Sequence, residues 1–142
     1  MKKTLFLFAA VLLALWVPSI YAQTPIGMWR TIDDETGHEK SIVKIYEYNG
    51  ALVGRVEKLT DPKAKRNCDD CKGDKKGKPI TGMTVVWGMK KDGGKAEWGS
   101  GNILDPKNGK VYTCRMWMEG KNLKVRGYIG PFFRTQTWYP AN

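Results

Sequence analysis

Along residues 23–142, apolar residues fall at alternate positions or in short runs, and each run ends at Gly, Asn, Asp or Pro. That is the pattern of β-strands separated by turns. The three-and-four spacing of an amphipathic helix, with a capping residue ahead of it, is nearly absent. Eight strands are expected: Ile26–Ile32, Lys40–Tyr48, Ala51–Leu59, Ile80–Met89, Lys95–Leu104, Lys110–Met118, Leu123–Ile129 and Phe132–Tyr139. Asn49-Gly50 predicts a tight hairpin, because both central residues of that turn need positive φ. Asp33–Gly37, Lys90–Gly94, Asp105–Gly109, Glu119–Asn122 and Gly130-Pro131 supply further turns. Gly99 and Gly101 predict a bulge or sharp bend in the fifth strand.

Eight short strands with no crossover helix imply an all-β, antiparallel up-and-down meander. Closing it into a barrel removes both exposed edges, and eight strands enclose room for side chains or one small ligand. A two-sheet sandwich is the alternative. Period-two alternation puts Tyr112, Cys114, Met116 and Met118 on one face, with Val111, Thr113, Arg115 and Trp117 on the other. The first set is the more uniformly apolar and is assigned inward. Leu123, Val125, Gly127 and Ile129 likewise face in, which leaves Lys124 and Arg126 outside.

Residues 1–22 have a different character. Lys2 and Lys3 precede an apolar run from Leu5 to Val17, and Ala22 offers a small residue for cleavage. This is the layout of a secretory signal peptide, since a transmembrane helix needs about 20 apolar residues. The expected mature chain is a single domain, residues 23–142, periplasmic or secreted, with no transmembrane segment. The full chain has 24 Lys and Arg against 14 Asp and Glu, net +10; removing Lys2 and Lys3 leaves +8. Half of that charge lies between Lys58 and Lys78, in a long polar connection that could be a lid, an anion-binding patch or simply a solvated loop. Nucleic acid is disfavoured, because the aromatics sit on strands and not among these charges.

Several strings resemble one family closely. They are Gly27-Met28-Trp29-Arg30-Thr31-Ile32-Asp33-Asp34, Ser41–Tyr46, Cys68-Asp69-Asp70-Cys71-Lys72-Gly73, Gly88–Lys91, Gly101–Pro106, Leu123–Gly130 and Arg134–Trp138. Together they resemble the domain-of-unknown-function 2147 family over essentially the whole mature chain. The resemblance implies a secreted bacterial protein with a lipocalin-like barrel, and it supplies no reaction or catalytic residues. In lipocalin-like barrels the Trp of a Gly-x-Trp element closes one end, with an Arg near the last strand over its ring. The matching residues are Trp29 and Arg134, with Arg126 second. Such a stack is worth about 0.5–2 kcal/mol.

Cys68 and Cys71 fit a local disulfide, a redox pair or half of a metal site. The disulfide is favoured: no helix is expected to activate a thiolate, and zinc would need Cys114 and His38 as well. Cys114 is then a buried free thiol, or else the true partner of one loop cysteine. No catalytic constellation emerges. Asp33, Asp34, Glu35 and Asp105 are turn formers, and Ser41 and Ser100 have only His38 as a possible base. No cofactor is implied. The expected function is binding of a small amphipathic or anionic ligand by a monomer or dimer, with Trp29, Tyr112, Met116, Arg126 and Arg134 as candidate ligand residues. In that scheme Arg126 would hold a ligand carboxylate only if it pointed inward. The rival is a non-catalytic envelope scaffold that binds a glycan or protein through the basic Cys-containing loop.

Overall fold

A computed structural model describes residues 23–93 and 95–142; the expected leader, residues 1–22, lies outside them. Among the described residues the strands are β1 (Gly27–Ile32), β2 (Glu39–Tyr48), β3 (Ala51–Leu59), β4 (Thr84–Lys91), β5 (Glu97–Asp105), β6 (Lys110–Glu119), β7 (Asn122–Ile129) and β8 (Phe132–Pro140). Each pairs antiparallel with the next, and β8 returns to β1 with Pro140 opposite Trp29 and Tyr139 opposite Arg30. The sheet is a closed up-and-down barrel, not a sandwich. The expected hairpin is formed at Asn49 and Gly50, both at positive φ (50° and 77°). The β5 bulge falls between Trp98 and Gly101, where Ser100 takes φ 60°.

The fourth strand starts later than its apolar pattern suggests. Gly82 sits at φ 88°, which breaks the extended run, so Ile80 and Met83 belong to the preceding connection. That connection also corrects the picture of a lid or a solvated loop. Val86 pairs with Ile103 and faces the interior, so Val85 and Leu104 form a neighbouring pair on the outer wall. Both are nonetheless buried, in one apolar cluster with Cys68, Cys71, Ile80 and Met83. Residues 60–83 therefore fold against the outside of β4 and β5 as a small second core. Cys68 and Cys71 are disulfide-bonded, Cys68 Sγ lies 3.5 Å from the Pro106 carbonyl oxygen, and the Asp70 backbone rests on Gly109, where no Cβ would fit. The lysines of the loop stay on its solvent side; Lys75 Nζ stands 5.0 Å over the Trp87 ring.

Inside the barrel the two ends differ. The β2–β3, β4–β5 and β6–β7 turns mark one end, and its interior is packed with Trp29, Ile45, Leu52, Met89, Trp98, Met116, Leu123 and Trp138, all buried. The Trp29 indole donates a 2.7 Å hydrogen bond to the Pro25 carbonyl and seals this end. A Cβ on Gly101 would collide with Met89 and the Trp87 carbonyl, so packing here has no slack. The other end carries the β1–β2, β3–β4, β5–β6 and β7–β8 connections and is lined more polarly.

Candidate functional site

Alternation along β8 directs Trp138, Gln136, Arg134 and Phe132 to the inner face, running from the buried core to the open rim. On the neighbouring strands Gly127 pairs with both Arg134 and Cys114. A side chain at Gly127 would meet the Tyr112 Cβ at 3.2 Å, so Tyr112 occupies the space that this glycine leaves. The Tyr112 hydroxyl accepts a 3.3 Å hydrogen bond from Asn108 Nδ2 at the rim. Across the barrel, Thr31 and Ser41 are buried and joined hydroxyl to hydroxyl at 2.6 Å. This end thus carries apolar, aromatic, amide and guanidinium groups on its inner wall.

The β1–β2 turn folds against this end. Its shape is set by Asp33, whose Oδ1 accepts from the amides of Glu35 and Thr36, both at 2.9 Å. The Thr36 amide holds the Asp33 carboxyl below its usual range, against the opposing effect of burial. The Glu35 amide and the charges of Lys107 and Lys40 add to the lowering. Asp34 Oδ2 takes a 2.7 Å hydrogen bond from Gln136 Nε2 and lies 3.2 Å from Arg134 Nε. Gln136 Oε1 in turn accepts from the Trp138 indole at 3.1 Å. From the opposite rim, Lys107 of the β5–β6 turn reaches Glu35 at 2.6 Å and Asp33 at 3.7 Å. Its ammonium is held charged chiefly by the hydrogen bond to Glu35. One acidic turn is thereby strapped across the mouth to cations on two sides. These pairs are largely solvent-exposed, and exposed pairs contribute little to stability. The strap opens at small cost.

The expected ligand residues separate. Tyr112 and Arg134 meet at the mouth. Trp29 and Met116 lie in the packed half, away from the rim. Arg126 points outward, as the alternation places it; its guanidinium stands 4.9 Å over the Trp117 ring and 4.5 Å over the Phe133 ring and donates to Thr135 Oγ1 at 2.7 Å. The expected Arg134–Trp29 stack does not form. Trp29 pairs with Pro140, six residues along β8 from Arg134, so the two side chains belong to opposite ends of the barrel. Gln136 and Lys107 are members of the mouth that the sequence reading passed over, and Asp34, read there only as a turn former, is a third. Gln136 shares its strand parity with Arg134 and Trp138 and was within reach of that reading, whereas the loop residues come together only through the closed topology. Cys114 is free and buried beneath the mouth, and burial pushes its thiol up to about 12. A thiol so protonated is a poor nucleophile. Outside the barrel, Asp74, Lys75, Lys78, Thr81 and Met83 help line a wide-open depression of about 410 Å³ that shares no residue with the mouth.

This architecture, a closed eight-stranded meander with one sealed end and one open end, defines a lipocalin-like barrel. It is similar to a solved structure described as "Protein HP1028 from the human pathogen Helicobacter pylori belongs to the lipocalin family", with 18% sequence identity, a TM-score of 0.71 and 82% of each chain covered. By sequence, residues 27–139 match the family described as "Uncharacterized protein conserved in bacteria (DUF2147)", and the chain belongs to that family. No curated protein sequence matches it.

Proposed function

We propose that this is an exported binding protein, not an enzyme, whose open end takes a small amphipathic molecule carrying an anionic group. The observation that carries this reading is the use made of Asp34. One exposed turn carboxylate occupies Arg134 and Gln136 on the inner wall, where the anionic group of a ligand would exchange with it. Tyr112, Ile129 and Phe132 supply apolar surface next to that position. Because Trp29, Met89, Met116 and Trp138 fill the far half, the ligand sits at the rim and its tail is short or lies along the opening. Export is supported by the sequence pattern of residues 1–22 and by the Cys68–Cys71 disulfide, which persists in oxidising compartments. No helix among the described residues is long and apolar enough to cross a membrane.

Native mass spectrometry of protein purified from its own cell envelope tests the reading. A small adduct on the wild type that is lost from Arg134→Gln is the expected result. An adduct indifferent to that substitution, or none after exposure to an envelope lipid extract, counts against it. The scaffold reading is favoured by one feature, the depression beside Lys75 and Lys78. It gains if a bound glycan or protein is released by Lys75→Glu/Lys78→Glu and not by Arg134→Gln.

A further inference from the structure

The β7–β8 hairpin departs from the alternation expected of a barrel wall. Its tip reads Ile129-Gly130-Pro131-Phe132-Phe133. Ile129 and Phe132 belong to the inner face and Phe133 to the outer, yet all three are solvent-exposed, at 52%, 73% and 60%. Tyr128 packs its ring 5.8 Å from that of Phe133. Thr113 pairs with Tyr128, so two positions earlier on β6 the exposed Val111 stands beside the turn. The tip is apolar and exposed on both faces, so the barrel's own interior does not cover it. Contiguous exposed apolar surface of this kind marks an interaction site, whereas scattered single residues do not.

The charge around the tip indicates what covers it. From Lys121 to Asn142 the chain has no Asp or Glu, while Lys124, Arg126 and Arg134 lie on the two hairpin strands. Arg134 faces Asp34 across the mouth. Arg126 has no carboxylate partner among the described residues and stands 4.9 Å from the Trp117 ring and 4.5 Å from the Phe133 ring. It is three residues from Ile129, about 10 Å along the strand. Apolar side chains of interfacial segments reach about 5–10 Å into the boundary between headgroups and acyl chains. With Phe132 and Phe133 inserted, the Arg126 guanidinium, 4.5 Å from the Phe133 ring, meets the phosphates first, and Lys124, about 7 Å farther along the strand, faces the outer headgroups.

We propose that the β7–β8 hairpin docks the protein on an anionic phospholipid bilayer, with Ile129, Phe132 and Phe133 inserted and Arg126 and Lys124 on the headgroups. Neither half suffices alone, because three partly exposed apolar residues give only shallow insertion and few cations give only salt-sensitive attraction. Docking needs no ligand in the mouth, although Ile129 and Phe132 also border that end and docking by this hairpin turns it toward the lipid.

Co-sedimentation with vesicles tests it, comparing phosphatidylcholine mixed with phosphatidylglycerol against phosphatidylcholine alone. The expected result is pelleting with the anionic vesicles that falls by about tenfold in Phe132→Ser/Phe133→Ser and falls again in high salt. Both phenylalanines are exposed, and an unchanged melting temperature shows that the variant is folded. A second variant, Phe133→Trp, reads insertion directly: brominated acyl chains should quench its added fluorescence. Equal pelleting with both vesicle types, retention by the double serine variant, or no added quenching overturns the proposal. So does a concentration-dependent dimer that the double variant abolishes in the absence of vesicle binding, since a second copy would then cover the tip.

Discussion

Asp34 and Arg134 show how much of the site rests on single side chains. In the proposed function Asp34 competes with the ligand for the guanidinium, so Asp34→Asn should strengthen binding of an anionic amphiphile such as dodecanoate. Arg134→Gln should weaken it by about tenfold, a modest figure because the pair is exposed. Isothermal titration of the two variants checks both signs, and equal effects would contradict the exchange idea. Cys114 makes a separate prediction. Its thiol rises from 9.0 to about 12 on burial, so its folded value lies above its unfolded one. The contribution is fully present below pH 9 and is lost as pH climbs toward 12. Melting temperature should therefore fall less steeply across that interval in Cys114→Val than in the wild type. Gly101 is the sharpest steric point, because a Cβ there meets the Met89 sulfur and the backbone of Trp87 and Met89 together. Gly101→Ala should cost more than about 2 kcal/mol in a denaturant titration.

At the level of elements, the strands were the most legible feature. Ala51–Leu59 lies where the Asn49-Gly50 hairpin puts it, and the inward set Tyr112, Cys114, Met116 and Met118 has the assigned orientation. Local pattern suffices for β6 because that strand has one wetter and one drier face. The long connection was not legible, because the feature that organises it is non-local. Its lysines and aspartates dominate its composition, yet Cys68, Cys71, Ile80 and Met83 meet Val85 and Leu104 only once β4 and β5 are in place. The disulfide ties that small core. Its short loop gives a chain-entropy contribution of about 2 kcal/mol, which Cys68→Ala/Cys71→Ala should remove along with some packing. Loss should be seen in the denaturation midpoint. No change on removing the bridge would mean that the outer core holds without it.

For the whole molecule, closure of the meander into a barrel follows from the strand count and the need to eliminate edges. How full the barrel is did not follow. Volume is decided by which rotamers interdigitate across the interior, and the packed half around Met89, Met116 and Trp138 moves any ligand up to the rim. Strand order alone also could not reveal that an acidic turn from one side meets Lys107 from the opposite side. The proposed binding at the strapped open end, through Arg134 and Gln136, rests on these two features. The most direct measurement is an amide and indole NMR titration with dodecanoate. The Trp138 indole proton, bonded to Gln136, should shift together with the amides of Asp34, Arg134 and Gln136. Shifts confined to Lys75, Lys78 and Thr81 on the outer wall, or none at saturating probe, would contradict it.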